Sequence, residues 1–309
     1  MKTSSAVAGL GAGIALGTLL GFFVLASNVE GGPGGESTQV QRSLDSERQA
    51  KDKAEAKAAA ADAVNRSLAG PAVKDLLRDQ PVLILATDDA DDRAVSATRH
   101  LLDESGAVNA GDITLTEKFT SADNGDELKS IAANSLPAGA SLSENNLAPG
   151  THIGELLGSA LTTGSDGKPP ASDSERAVVL GALKNGGFVD YRDGTVRTAA
   201  AVVIVTGDAS GDPAHGNYGT TVVADLATAM DSRTRGVVLA GGLGAAEKDG
   251  AVGIVRGRRA AADAVSTVDD IDTTAGRITA VRAVKEQLDG HAGAYGAAAN
   301  AGSATVGGA

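Results

Sequence analysis

The chain has 309 residues and a formal net charge of −12, and it contains no Cys and no Trp. Without cysteine there is no disulfide, zinc ribbon or thiol nucleophile. The acidity excludes a nucleic-acid binder, which needs a basic patch to meet phosphates.

From Thr3 to Val29 no residue is charged, and Lys2 and Glu30 bracket the stretch. Its apolar centre, about residues 6–26, is long enough as a helix to cross ~30 Å of hydrocarbon. Gly9, Gly13, Gly17 and Gly21 recur every four residues, the small-xxx-small spacing that lets helices approach closely in lipid. The reading is a retained anchor over residues 1–30, with a possible helix-pairing face. The alternative is a cleaved signal peptide ending near Val24-Leu25-Ala26, against which the apolar run is long and the basic region is a single lysine. Lys2 and the amino terminus place the N-terminal side in the cytoplasm, so the residues from Glu30 onward are expected outside it.

Gly31-Gly32-Pro33-Gly34-Gly35 breaks the helix. Residues 31–70 form a linker and stalk, in which 36–68 consist largely of good helix formers. Val40, Leu44, Ala54, Ala58, Ala61 and Leu68 define a seam at 3–4 spacing, interrupted by Glu47, Lys51 and Asn65. The seam predicts an alanine-based coiled coil joining copies of this chain or a partner; the other reading is a solitary spacer helix. Gly70-Pro71 is expected to end the helix.

The body spans 71–290. Val82-Leu83-Ile84-Leu85-Ala86, Val202-Val203-Ile204-Val205 and Val237-Val238-Leu239-Ala240 are continuous apolar runs, as strands buried on both faces require. Helical patterns fall at 91–105, 124–134, 152–162, 173–185, 217–230 and 274–289. Further strands are expected at 113–119, 188–192, 252–255 and 266–268. The alternation predicts an α/β fold, a Rossmann-like and mostly parallel sheet with helices on both faces. Residues 291–309 are rich in Gly, Ala and Ser, and predict a disordered tail.

Three strands end in loops where a ligand site is expected, because open α/β sheets bind ligands at the carboxyl ends of their strands. Asp88, Asp89, Asp91 and Asp92 offer carboxylates for Mg²⁺ or, more simply, caps for the next helix. Residues 207–219 bring together Asp208, Ser210, Asp212 and His215, but lack a nucleophile elbow. Gly242-Leu243-Gly244 has Glu247 where a dinucleotide fingerprint needs Gly or Ala, and the chain is expected to turn at 248–250 into another strand. Asp269, Asp270 and Asp272 form a late acidic cluster, either capping the last helix or ligating a metal. The histidines at 100, 152, 215 and 291 lack metal-ligand spacing. No enzyme and no cofactor is expected.

Ser266-Thr267-Val268-Asp269-Asp270-Ile271-Asp272 with Gly276-Arg277-Ile278-Thr279, Leu136-Pro137-Ala138-Gly139, and Gly154-Glu155-Leu156-Leu157-Gly158 resemble segments of the actinobacterial copper transporter family typified by MctB. The resemblance covers nearly the whole chain. It implies a cell-envelope protein linked to copper export or homeostasis. Through the SteB-type members it implies a scaffold for cell separation working with a SteA-like membrane protein. The residues themselves offer copper little: Cu(I) prefers thiolate and thioether, Cu(II) clustered imidazole, and the methionines are Met1 and Met230.

Overall fold

The structure is a computed structural model that describes residues 36–164, 169, 171–208 and 216–307. The expected anchor, its four glycines and the start of the linker lie outside these residues. Among the described residues no helix is long and apolar enough to cross a membrane. The chain divides into two compact units, 1–65 and 66–309.

Helix α1 runs from Glu36 to Val73. In the first unit residues 42–61 are solvent-exposed throughout, including Leu44 of the predicted seam. Ion pairs such as Lys51–Glu55 at 3.6 Å are exposed and contribute little. Pro71 does not end the helix as expected. It sits in the last turn, where it removes only a terminal hydrogen bond, while Val73 and the following Leu77 are completely buried. Burial of each such side chain is worth ~2 kcal/mol, which outweighs that loss. Asp75 and Asp79 then turn the chain with positive φ, a conformation that Asp tolerates.

In the second unit the described residues form a seven-stranded sheet of order β3-β2-β1-β4-β5-β6-β7. The strands are β1 (Pro81–Thr87), β2 (Val108–Leu115), β3 (Val189–Tyr191), β4 (Ala201–Val205), β5 (Val237–Ala240), β6 (Ser266–Val268) and β7 (Ala294–Tyr295). β3 pairs antiparallel with β2, and every other pairing is parallel. The helices are α2 (Asp92–Glu104), α3 (Glu117–Thr120), α4 (Gly125–Asn134), α5 (Pro149–Leu161), α6 (Asp173–Asn185), α7 (Tyr218–Asp231), α8 (Ala251–Gly257), α9 (Arg259–Ala262) and α10 (Thr274–Leu288).

Because side chains alternate along a strand, one sheet builds two cores. Leu83, Leu85, Val202, Ile204, Val237 and Leu239 face the side covered by α3 to α8. Val82, Ile84, Val203, Val205, Val238 and Ala240 face α2, α10 and the end of α1. This explains the unbroken apolar runs. α5 is buried from Gly150 to Leu161 and packs on α7. Gly150, Gly154 and Gly158 form its contact row; a Cβ on Gly154 would lie 2.7 Å from the Leu226 carbonyl oxygen.

Three expectations require correction. The strand predicted at 113–119 is β2, beginning at Val108; its polar start and the bulge between Val82 and Ile84 of its partner hid it, and 117–120 form a helical turn that buries Phe119. The run 252–255 is helix α8, since four apolar residues fit either period. The turn at 248–250 therefore leads into a helix. The tail expected to be disordered is ordered through residue 307, and carries the edge strand β7.

Candidate functional site

The carboxyl ends of the parallel strands carry the acidic residues singled out in the sequence. The strand order reverses between β1 and β4, the position where a doubly wound sheet opens a crevice. Here the protein's own groups meet across the ends of the two strands. The Thr87 hydroxyl donates to Asp89 at 2.5 Å, and the Gly207 backbone N–H is directed at Thr87 Oγ1 and Asp89 Oδ1, at 3.2 and 3.3 Å. Gly207 has no side chain because the Asp89 carboxylate occupies the space: an added Cβ would lie 2.5 Å from it. One strand along, the carboxylate of Asp208 packs in the same way on Gly242. The Gly207 N–H thus faces an internal carboxylate.

Asp91 caps α2, accepting from the N–H groups of Arg93 and Ala94 at 2.7 and 3.3 Å. Asp88 is partly buried, and burial followed by the neighbouring charge of Asp89 raises its pKa above the ordinary carboxylate value.

At the end of β6 the acids separate by role. Asp269 is fully buried and pairs with Arg256 of α8 at 2.6 Å; the Arg256 side chain is 4% exposed. Arg256 also donates to Thr267 Oγ1, Asn300 Oδ1 and the Tyr295 carbonyl. The other oxygen of Asp269 accepts from the N–H groups of Ala297 and Ala298 at 2.7 and 3.0 Å. A charge buried this completely persists only when paired and hydrogen-bonded, and both conditions are met. Asp270 is different. Its Oδ1 is buried with no hydrogen-bond partner, and burial, then the charges of Asp269 and Asp272, raise its pKa to about 6. Asp272 offers its backbone carbonyl to Arg277, while Thr273 caps α10 by accepting from the Gly276 N–H at 2.9 Å. Asp88, Asp89, Asp269, Asp270 and Asp272 do not converge: among the described residues no group of three or more His, Asp or Glu side chains is placed to hold a metal.

Sequence reasoning missed Arg256, Asn300 and Tyr295 as partners of Asp269. Arg256 closed a stretch read as a strand, and the other two lay in a tail read as disordered.

A second concavity of about 300 Å³ lies between the 138–140 loop and the Ser232–Thr234 turn. Its loop is pinned by polar groups: Ala138 N–H donates to Glu175, Ser143 N–H donates to Glu155, and Arg233 donates to the Ser141 carbonyl. The His152 Nε2–H donates to the Ser143 carbonyl at 3.1 Å. Glu175, stabilised first by the Ser172 hydroxyl and then by the Ala138 N–H, has a pKa held down to about 2.

The family model described as "Copper transport outer membrane protein, MctB" matches residues 5–306. The chain belongs to the MctB family. It is 36% identical over 304 residues to the copper transporter MctB of Mycobacterium tuberculosis, covering 96% of this chain and 94% of the relative. The Mycobacterium bovis copper transporter MctB matches to the same extent. That of Mycobacterium leprae is 34% identical over 249 residues, covering 78% of each chain. In this MctB-family chain the 266–279 segment, on which the resemblance rested, forms β6, the acidic turn and the first turns of α10. The Leu136–Gly139 segment contributes Ala138 and Gly139 to the lining of the second concavity, and Gly154–Gly158 lies in the contact row of α5.

Proposed function

We propose that the chain serves copper homeostasis or export at the cell envelope as a membrane-anchored, non-enzymatic module that does not itself coordinate the metal. The match to relatives named copper transporters, over nearly the full length, carries this reading. Donor chemistry supports the second half of it. The chain has no cysteine and two methionines, and the described histidines are separated: His152 is committed to the Ser143 carbonyl and His100 lies beside Glu104. Copper, as cargo, would then be handled by an assembly containing this chain. Isothermal titration of the purified chain with Cu(I) and Cu(II) tests the proposal; stoichiometric sub-micromolar binding would overturn it.

The alternative is a scaffold that recruits partners for cell separation or envelope assembly, through the stalk and in concert with a SteA-like membrane protein. The apolar side chains of Leu44 and Leu68 left exposed on α1 favour it, since a long helix with so little buried surface gains stability from association. A deletion strain separates the two. Copper sensitivity with normal division supports homeostasis; chained cells with normal copper tolerance support the scaffold.

A further inference from the structure

Residues 291–307 are held to the body in a different manner from every strand they follow. The only large apolar side chains in the segment are Tyr295 and Val306. β7 contributes two residues. The segment wraps the β6 edge, with Ala298 against one core and Val306 against the other, while much of 299–305 stays exposed. Its attachment is polar and converges on one buried ion pair. Asp269 receives two strap N–H groups, and Arg256 donates to the carbonyl of Tyr295 and the side chain of Asn300. Asn300 in turn donates to the Ala246 carbonyl at 2.8 Å. The Tyr295 hydroxyl donates to Glu286 at 2.6 Å. Upstream, Gly290 has φ +85°, a conformation that suits glycine and allows a sharp change of direction.

Such a segment buries little apolar surface per residue and forms the outermost strand, so it can leave without breaking the rest of the sheet. Its departure would unpair the N–H groups of Thr267 and Asp269, which donate to the Gly293 and Tyr295 carbonyls. The edge so exposed is short and fully buried in the closed state, the kind of edge that proteins keep covered. We propose that residues 291–307 are a strap that opens as one unit, hinged at Gly290 and latched by Arg256 and Asp269, and that its opening bares the β6 edge.

Native-state hydrogen exchange on the full chain tests this. Thr267, Asp269, Ala297 and Ala298 are the strap reporters. Val202 and Thr206, whose amides bond the Gly236 and Ala240 carbonyls, report the centre of the sheet. The four strap reporters are expected to exchange with a common protection and at least ~100-fold faster than Val202 and Thr206. Arg256→Lys keeps the charge but loses the guanidinium fork, and is expected to speed the strap reporters a further ~10-fold while leaving Val202 unchanged. Three results would overturn the proposal: protection at Thr267 and Asp269 equal to that at Val202; fast exchange at Ala297 and Ala298 with Thr267 and Asp269 still protected; or equal acceleration of strap and centre in Arg256→Lys.

Discussion

β5 and β6 are neighbours in one sheet, yet opposite kinds of interaction hold them. β5 is Val-Val-Leu-Ala, flanked by strands on both sides and buried on both faces. β6 is Ser-Thr-Val, and its polar side chains are all engaged. Ser266 accepts from Gln287 and from the Gly293 N–H, Thr267 accepts from Arg256, and Asp269 follows directly. The centre of the sheet can rely on non-directional apolar burial because it is enclosed everywhere. Among the described residues the sheet continues beyond β6 only into the two-residue β7, and directional bonds from β6 and its neighbours fix the short strap that carries it. The difference teaches that burial alone does not say how firmly, or by what means, a strand is kept.

Five substitutions break or sharpen that contrast. Leu239→Ala in β5 removes fully buried apolar volume and is expected to cost about 4 kcal/mol in urea unfolding. The loss should be global, lowering the protection of both sheet centre and edge. Asp269→Ala leaves Arg256 buried without its partner and is expected to cost about 3 kcal/mol. Adding Arg256→Met in a double-mutant cycle should recover much of that loss; strictly additive losses would mean that the pair is not coupled. Gly154→Ala forces a Cβ against the backbone of α7, and is expected to cost about 2 kcal/mol, a packing effect insensitive to pH and salt.

Asp270 provides the smallest and most diagnostic effect. Its folded pKa, about 6, lies above the ordinary carboxylate value, so the folded state holds the proton more tightly than the unfolded chain. The stability it contributes is complete below pH 4 and is lost as pH rises through 6. Asp270→Asn should therefore stabilise the protein at pH 7.5 by roughly 1 kcal/mol, after discounting for partial exposure, with the gain shrinking toward pH 4. Thermal melts of both forms at pH 4.5, 6 and 7.5 check this, and a pH-independent difference would contradict it.

Much of the centre was legible in the sequence. The runs at 82–86, 202–205 and 237–240 have one interpretation in an α/β protein, and the helical pattern at 173–185 coincides with α6, whose N-terminus is fixed by the Ser172–Glu175 capping box. The edge was not legible, for physical reasons. Gly and Ala suppress every periodic signal in 291–307, and the order of that segment comes from backbone groups satisfied by a distant carboxylate. No local pattern encodes the meeting of Arg256, Asp269 and Asn300. The acids after β1 were legible as to type but only partly as to use: Asp91 caps a helix as such residues commonly do, whereas the contact of Asp89 with Gly207 depends on a loop far along the chain.

The contact between the ends of β1 and β4 has a consequence for how the molecule forms. Gly207 N–H and the Thr87 hydroxyl meet across 120 positions of sequence. β1 lies inside the sheet between β2 and β4, and its partner β4 is made only after β2, α3 to α6 and β3 have been synthesised. The closure entropy of that long loop falls on the nucleus of the sheet, which predicts slow folding for a chain of this size. A chain delivered from its amino end would expose the Val-Leu-Ile-Leu edge of β1 until residue 205 arrives, and this interval is when the protein is most open to mispairing.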